Sequence, residues 1–373
     1  MADSIDSPRP ASPWKRWVLG AALCVAAIVA LEGVASLALL AHDIADLQPP
    51  PVENFRQAAY DSLLGWVGLP NLAIRDNFGP GLSLTTNADG LRIHRPVSRA
   101  ASSGERRIIC SGASFTFGSG VTDGDTFCAG LERELPGVRT INMAQRGYGI
   151  DQSYLYYKRD GALYAHRIEL FILNGTDFDR TASSTLNGYP KPTLGISKGV
   201  LVPRNVPVPH WTGWSRWEDA KPLLPRLRVM QLLRRQVDVS DRAQYRRIDA
   251  QLWPVTDSVF HDLRRLNEQR GSTLAIVYLP SLPEYVPGAR DERREKIARS
   301  AAQAGVRFID LTPALRAVPR DSIEWLFITP NALPVGGIGG HYNAAGHRWL
   351  ANRIAGYIRD IPALATAAEP PAK

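Results

Sequence analysis

Along most of this chain, short apolar runs alternate with stretches of helical patterning, and that alternation limits the folds open to it more than any other feature. Strand-like runs at 107–111, 138–143, 168–173, 273–279 and 306–311 are separated by helical patterns at about 125–135, 152–164, a segment ending at Gly271, 291–304 and about 343–359. Strands that alternate with helices pair in parallel, with helices covering both faces of the sheet. Gly271 and Gly305 stand just past two of the helices, where a left-handed stop is expected. The pattern therefore predicts an α/β domain whose ligands sit beyond the carboxyl ends of the strands. With 373 residues and an ordinary hydrophobic share of 45%, the chain can bury one large core of this kind and still carry appendages.

The first of these strands leads to a single hydroxyl. Ile108-Ile109-Cys110-Ser111-Gly112-Ala113-Ser114-Phe115-Thr116-Phe117-Gly118 reads as a buried strand entering a turn of small residues, with Ser114 at its tip. A serine held there is a candidate nucleophile, since Gly112 and Ala113 leave room for a substrate carbonyl and a following helix turns its free N–H groups toward developing negative charge. Its candidate base is His341, in Gly339-Gly340-His341-Tyr342-Asn343-Ala344-Ala345-Gly346-His347. Thr116 stands where the α/β-hydrolase nucleophile elbow needs a glycine, so the segment is not that motif.

Taken together, these segments resemble the GDSL or SGNH hydrolases, a family of flavodoxin-like serine esterases, acylhydrolases and acyl-polysaccharide enzymes. The resemblance covers roughly residues 84 to 360. It implies a flavodoxin-like three-layer α/β/α sandwich around a parallel central sheet over 106–360, with an insertion at about 180–224. It also implies Ser114 as nucleophile and His341 as base; that chemistry needs no cofactor, and the spacing of the Cys and His residues predicts no metal. The family's oxyanion-hole glycine falls at Gly147 by spacing from Asn142, and its oxyanion-hole block falls on Asn174-Gly175-Thr176-Asp177.

The sequence departs from the family pattern at three places. Ala113 replaces the aspartate before the nucleophile, Thr176 replaces the block's asparagine, and the triad acid is missing, with Ile338 and Gly339 where it would stand. Thr176 can donate one O–H hydrogen bond, and Asn174 lies close enough to substitute for it. Without the acid, a backbone carbonyl or a remote carboxylate has to orient the imidazole, and Asp151, Asp177 and Asp179 are the carboxylates to consider. His347 reads as a structural residue inside the last helix.

The N-terminus bears on compartment. Arg9, Lys15 and Arg16 precede an apolar stretch over 17–41 that only Glu32 interrupts, and Asp43 and Asp46 follow it. That length crosses a bilayer once, and the charge order predicts residues 1–16 in the cytoplasm of a bacterium, a single-pass anchor in its inner membrane, and the body facing the periplasm or the exterior. A cleaved signal peptide, with a poor site at Ser36-Leu37-Ala38, is the other reading. Pro49-Pro50-Pro51 opens a stiff spacer within a linker and extension over 42–105. A short amphipathic helix is expected at about 53–66, then a strand and turn over 82–90. Residues 361–373 read as a flexible tail.

The net charge of +8 is spread over Arg-rich helices and reads as a solvated surface; no nucleic-acid motif accompanies it. Cys24, Cys110 and Cys128 form neither a disulfide framework nor a zinc site, and the last two read as buried small hydrophobes. The insertion carries Trp211, Trp214 and Trp217 and reads as a lid or side loop whose indoles pack back on the domain. Arg226, Arg228, Arg234 and Arg235 follow on an amphipathic helix. The combined expectation is an exported, tethered serine esterase acting on acyl or acetyl groups of envelope polysaccharide or lipid. Two rivals stand beside it: a polysaccharide O-acetyltransferase working with a membrane-bound acyltransferase partner, and a catalytically silent carbohydrate-binding or assembly protein.

Overall fold

The computed structural model describes residues 13–46, 57–210 and 240–365. The chain divides into two compact units, residues 1–48 with 216–243 and residues 49–215 with 244–373. In the first unit, helix α1 runs over Pro13–Asp46, and its segment Trp14–Leu39 has a mean hydropathy of 2.3. At 1.5 Å per residue those 26 residues exceed the roughly 30 Å of a hydrocarbon core, so α1 is long and apolar enough to cross a membrane.

The second unit opens with two small antiparallel pairs. Strands β1 (Ala58–Asp61) and β2 (Gly65–Gly68) form one, and β3 (Ala73–Ile74) and β4 (Leu84–Thr85) the other. From Gln57 onward, the helix expected at about 53–66 is therefore replaced by a hairpin. The reason is local: Asp61 Oδ1 accepts the N–H groups of Leu63 at 2.9 Å and Leu64 at 2.8 Å, an Asx turn that reverses the chain where continued helix would need those donors.

Five parallel strands follow: β5 (Arg106–Gly112), β6 (Val138–Ala144), β7 (Ile168–Leu173), β12 (Thr273–Tyr278) and β13 (Arg307–Asp310). They lie in the order β13-β12-β7-β5-β6, which renumbered within the sheet is the flavodoxin-like 2-1-3-4-5 arrangement, with its switch point between β5 and β7. Alternate residues of each strand serve opposite layers. Ile109, Ile141, Phe171 and Ile276 pack against helix α4 (Ile150–Asp160) and helix α6 (Ser240–Gln269) through Tyr154, Val259 and Leu263. On the other face, Ile108, Leu170, Val277 and Ile309 pack against helices α3 (Phe127–Glu134) and α9 (Ala344–Ile358) through Leu131, Leu350 and Ile354. Further helices are α2 (Ser114–Phe117), α5 (Gly175–Thr181), α7 (Ala289–Gln303), α8 (Thr312–Arg316) and α10 (Pro362–Ala365).

Within the insertion, the described residues form two hairpins, β8 (Thr185–Leu186) with β9 (Tyr189–Pro190) and β10 (Thr193–Ser197) with β11 (Val200–Arg204). Lys191 anchors this region. Its Nζ donates to Asp151 Oδ2 at 2.6 Å, and both side chains are fully buried. The three insertion tryptophans, the four arginines after them, the triple proline and residues 366–373 lie outside the described residues; the start of the tail expected at 361–373 is instead packed, with Ile361 and Leu364 buried in the core. Cys110 and Cys128 are buried and free.

Candidate functional site

Strand β5 ends at Gly112, where a side chain would meet Thr116 Oγ1 at 2.5 Å and the Ile172 carbonyl at 2.7 Å, so only glycine lets the chain turn here. Ser114 then opens the one-turn helix α2. Residue 113 offers no side-chain acceptor to that helix. The sheet register brings the neighbouring groups level with it: Ser111 pairs with Phe171, so Ser114 and Asn174 each stand three residues past a matched pair at the carboxyl edge. Gly112 likewise pairs with Ala144, which sets Arg146 level with Ser114 and Gly147 one residue beyond.

His341 reaches this edge on the return loop before α9. Its Nε2 lies 2.8 Å from Ser114 Oγ, across 227 residues of sequence. Its Nδ1 lies 3.0 Å from the carbonyl oxygen of Ile338. A carbonyl can only accept, so Nδ1 carries the proton and Nε2 presents its lone pair to the serine hydroxyl. This is the tautomer a general base needs. Phe115 stacks on the imidazole at 4.4 Å between ring centroids. Burial holds the imidazole pKa down to about 4, against a smaller opposing effect of the Ile338 carbonyl, and the charges of Arg180 and Arg146 add to the lowering. At neutral pH the ring is therefore uncharged and able to accept a proton.

The carboxylates considered for orienting the ring are engaged elsewhere. Asp151 pairs with Lys191, Asp177 accepts the Asn174 N–H at 2.9 Å and binds Arg180 at 3.1 Å, and Asp179 lies 3.3 Å from Arg293. Burial lifts the Asp177 carboxyl to about 6. His347 is separate from the site. It accepts the Phe127 N–H on Nδ1 at 3.1 Å, is fully buried, and has its pKa held down to about 3 by burial.

Among the described residues, the N–H of Ser114, the N–H of Gly147 and the side-chain amide of Asn174 have no protein hydrogen-bond partner, and all three residues lie past strand ends at this edge. Gly147 has φ +80°, a left-handed conformation, and a side chain on it would strike Leu186 at 2.4 Å. Asn174 caps α5 through its Oδ1, which accepts from Thr176 N at 2.8 Å and Thr176 Oγ1 at 2.7 Å. Both bonds end on oxygen, so the amide orientation is fixed and Nδ2 is the free end. Thr176 directs its own hydroxyl proton to Asn174.

Sequence reasoning named Ser114, His341, Gly147, Asn174 and Thr176, and these residues gather at one edge of the sheet. The role of the Ile338 carbonyl has no sequence signal, because every residue has a carbonyl. Among the described residues, no group of three or more His, Cys, Asp or Glu side chains could hold a metal ion.

The chain is similar to lipolytic proteins of the G-D-S-L family. A solved member from Veillonella parvula is 15% identical with a TM-score of 0.37, over 69% of this chain and 100% of that one. A lipase/acylhydrolase from Enterococcus faecalis is 13% identical with a TM-score of 0.36, over 68% and 95% of the two chains. An acetyl xylan esterase is 12% identical with a TM-score of 0.37, over 68% and 99%. No known family's sequence model matches the chain, nor does the sequence of any curated protein.

Proposed function

We propose that this protein is a serine ester hydrolase of the SGNH type. The observation that carries the reading is the 2.8 Å contact between Ser114 Oγ and an imidazole nitrogen whose lone pair is exposed by the Ile338 carbonyl behind the ring. His341 Nε2 takes the Ser114 proton as Oγ attacks an acyl carbonyl. The N–H groups of Ser114 and Gly147 and the Asn174 amide receive the oxyanion, with Thr176 orienting Asn174. The imidazolium returns its proton to the leaving alcohol, and water, activated by the same nitrogen, releases the acid and frees the serine. No step requires a cofactor.

The apolar length of α1 supports a single-pass tether. The basic residues before it and the acidic ones after it support a body on the outer side of a bacterial inner membrane. A domain held there meets acyl esters of envelope polysaccharide or lipid, and short acyl groups, acetyl above all, are the proposed substrate.

The test uses the full chain in detergent, with a chromogenic acetyl ester and a fluorophosphonate probe. Turnover and labelling are expected in the wild type and absent from Ser114→Ala, with turnover reduced at least 10³-fold in His341→Ala, within the range seen when triad members are removed. Turnover that survives Ser114→Ala refutes the mechanism. Acetate released from acetylated envelope polysaccharide, and not from acetylated metabolites, supports the substrate class.

A further inference from the structure

Arg92 belongs to the segment that precedes the sheet, outside every motif of the site, yet its guanidinium is buried against the nucleophile turn. Nη1 donates to the carbonyls of Phe117 at 2.8 Å and Gly118 at 2.6 Å, Nη2 to the carbonyl of Val121 at 2.6 Å, and Nε to Asp123 at 2.8 Å. The first two carbonyls close the C-terminal end of α2, where a cation also complements the helix. Their residues lead directly back to the nucleophile. The N–H groups of Gly118 and Ser119 both donate to the Ser114 carbonyl at 3.1 Å, and Asn142 from β6 holds the Thr116 carbonyl at 3.1 Å.

The same guanidinium lies over the rings of Phe117 at 5.1 Å and Phe78 at 5.6 Å. Those rings belong to a small apolar cluster, separate from the two main layers, that also holds Leu84, Val335 and Ile338. Ile338 is the residue whose carbonyl fixes the His341 ring. One side chain thus ties the segment before the sheet, the turn that carries the serine and the loop that carries the histidine into a single packed unit.

We propose that Arg92 is a positioning residue for the Ser114–His341 pair: through its carbonyl contacts and the cluster beneath it, it holds the two catalytic loops at working distance. The proposal rests on the esterase reading and adds a requirement to it. Residues 73–92 become part of the catalytic unit, and catalysis depends on the fork geometry of a guanidinium as well as on its charge. Lysine keeps the charge but cannot span three carbonyls and a carboxylate at once.

The experiment compares wild type, Arg92→Lys, Arg92→Met, Ile338→Ala and Val138→Ala as full chains in detergent, each assayed well below its own Tm. Val138 is buried at the opposite, amino edge of the sheet and serves as a control for general destabilisation. Misplacing reacting groups by about 1 Å can cost on the order of 10²-fold in rate. The expected result is therefore a kcat about 10²-fold lower in Arg92→Met, about 10-fold lower in Arg92→Lys and about 10-fold lower in Ile338→Ala. KM should stay within about threefold, and fluorophosphonate labelling of Ser114 should slow in proportion to kcat. Val138→Ala should lose Tm with kcat within twofold of wild type. If Arg92→Met does not fold, Arg92→Lys and Ile338→Ala decide the matter.

The proposal is overturned if folded Arg92 variants keep kcat within twofold, or if Val138→Ala loses as much kcat for the same drop in Tm. A wild type that neither turns over ester nor labels at Ser114 is a different failure: it removes the esterase reading itself, and the positioning role with it.

Discussion

The electrostatics of His341 can be tested by acidifying the wild-type protein. An imidazole with an ordinary pKa near 6.5 is roughly 3% unprotonated at pH 5, whereas one held at about 4 is roughly 90% unprotonated there. If His341 is the base, kcat/KM at pH 5 should remain within about 20% of its value at pH 7.5, and the acid limb should have its midpoint near pH 4. Stability changes over the same range. His341, His347 and His166 are all neutral in the fold, with pKa values lowered to about 4, 3 and 4, while in the unfolded chain they take up protons near 6.5. Their stabilising contribution is thus complete above about pH 6.5 and is lost as pH falls toward the folded values. The assay therefore measures acetate release during brief exposure to each pH from 4 to 8, then returns a portion to pH 7.5 to show that activity recovers. A reversible acid limb centred near 6.5 refutes the argument, because the ring would then be solvated or paired with a carboxylate.

Other consequences can be read in the same protein. Thr176→Val removes the hydroxyl that fixes the Asn174 amide and should lower kcat about 10-fold, while Asn174→Ala should lower it about 10²- to 10³-fold with little change in KM; equal effects on kcat and KM would count against an oxyanion role. Lys191→Met leaves the buried Asp151 carboxylate without its cation and should cost about 3 kcal/mol in urea unfolding, with Lys191→Met/Asp151→Leu recovering part of the loss. No loss in the single variant would mean the pair does not anchor the insertion. Burial lifts the Glu169 carboxyl to about 8, so the fold holds its proton more tightly than the unfolded chain and stability should fall as pH rises from about 4.5 to 8. Glu169→Gln keeps an oxygen to accept from Asn267 and turns an N–H toward the Ser111 hydroxyl, which then accepts, and should flatten that dependence of Tm, whereas an unchanged pH slope would show that the carboxyl is not the source.

The sheet was legible because its signal is covalent and local. Residues such as Ile108 to Cys110 and Leu170 to Ile172 are apolar on both faces, and a strand with that property has few homes other than the middle of a covered parallel sheet. Ser114 and His341 were legible for a related reason, since small residues around a hydroxyl and glycines before a histidine leave marks at fixed spacing. The hairpin at Ala58–Gly68 was not, because Leu63, Leu64, Trp66 and Val67 also suit one face of a helix, and the Asp61 turn that decides between the two is a single hydrogen-bonding event. The burial of Lys191 and Arg92 was not legible in the sequence. Their burial depends on partners 40 and 31 residues away, Asp151 and Asp123, which no local pattern announces.

The absent triad acid connects these observations. A carboxylate behind a histidine both orients the ring and stabilises the charge it acquires, and a carbonyl does the first far better than the second. Here the ring is oriented by Ile338 and buried under Phe115, so on the proposed mechanism proton transfer from Ser114 would create an imidazolium in a site that disfavours charge. On that mechanism the cost would fall on the transition state and be offset by donors that act on the oxyanion at the same moment, which would put more weight on Gly147 and Asn174 than a full triad does. An esterase built in this way would trade turnover for a base that stays unprotonated in mild acid. Its tolerance for misplacement would also be small, because among the described residues no carboxylate is bonded to the ring to pull it back when the loop moves. The buried grip of Arg92 on the nucleophile turn, and the cluster that joins it to Ile338, would serve such a site by keeping the two proposed catalytic groups in register.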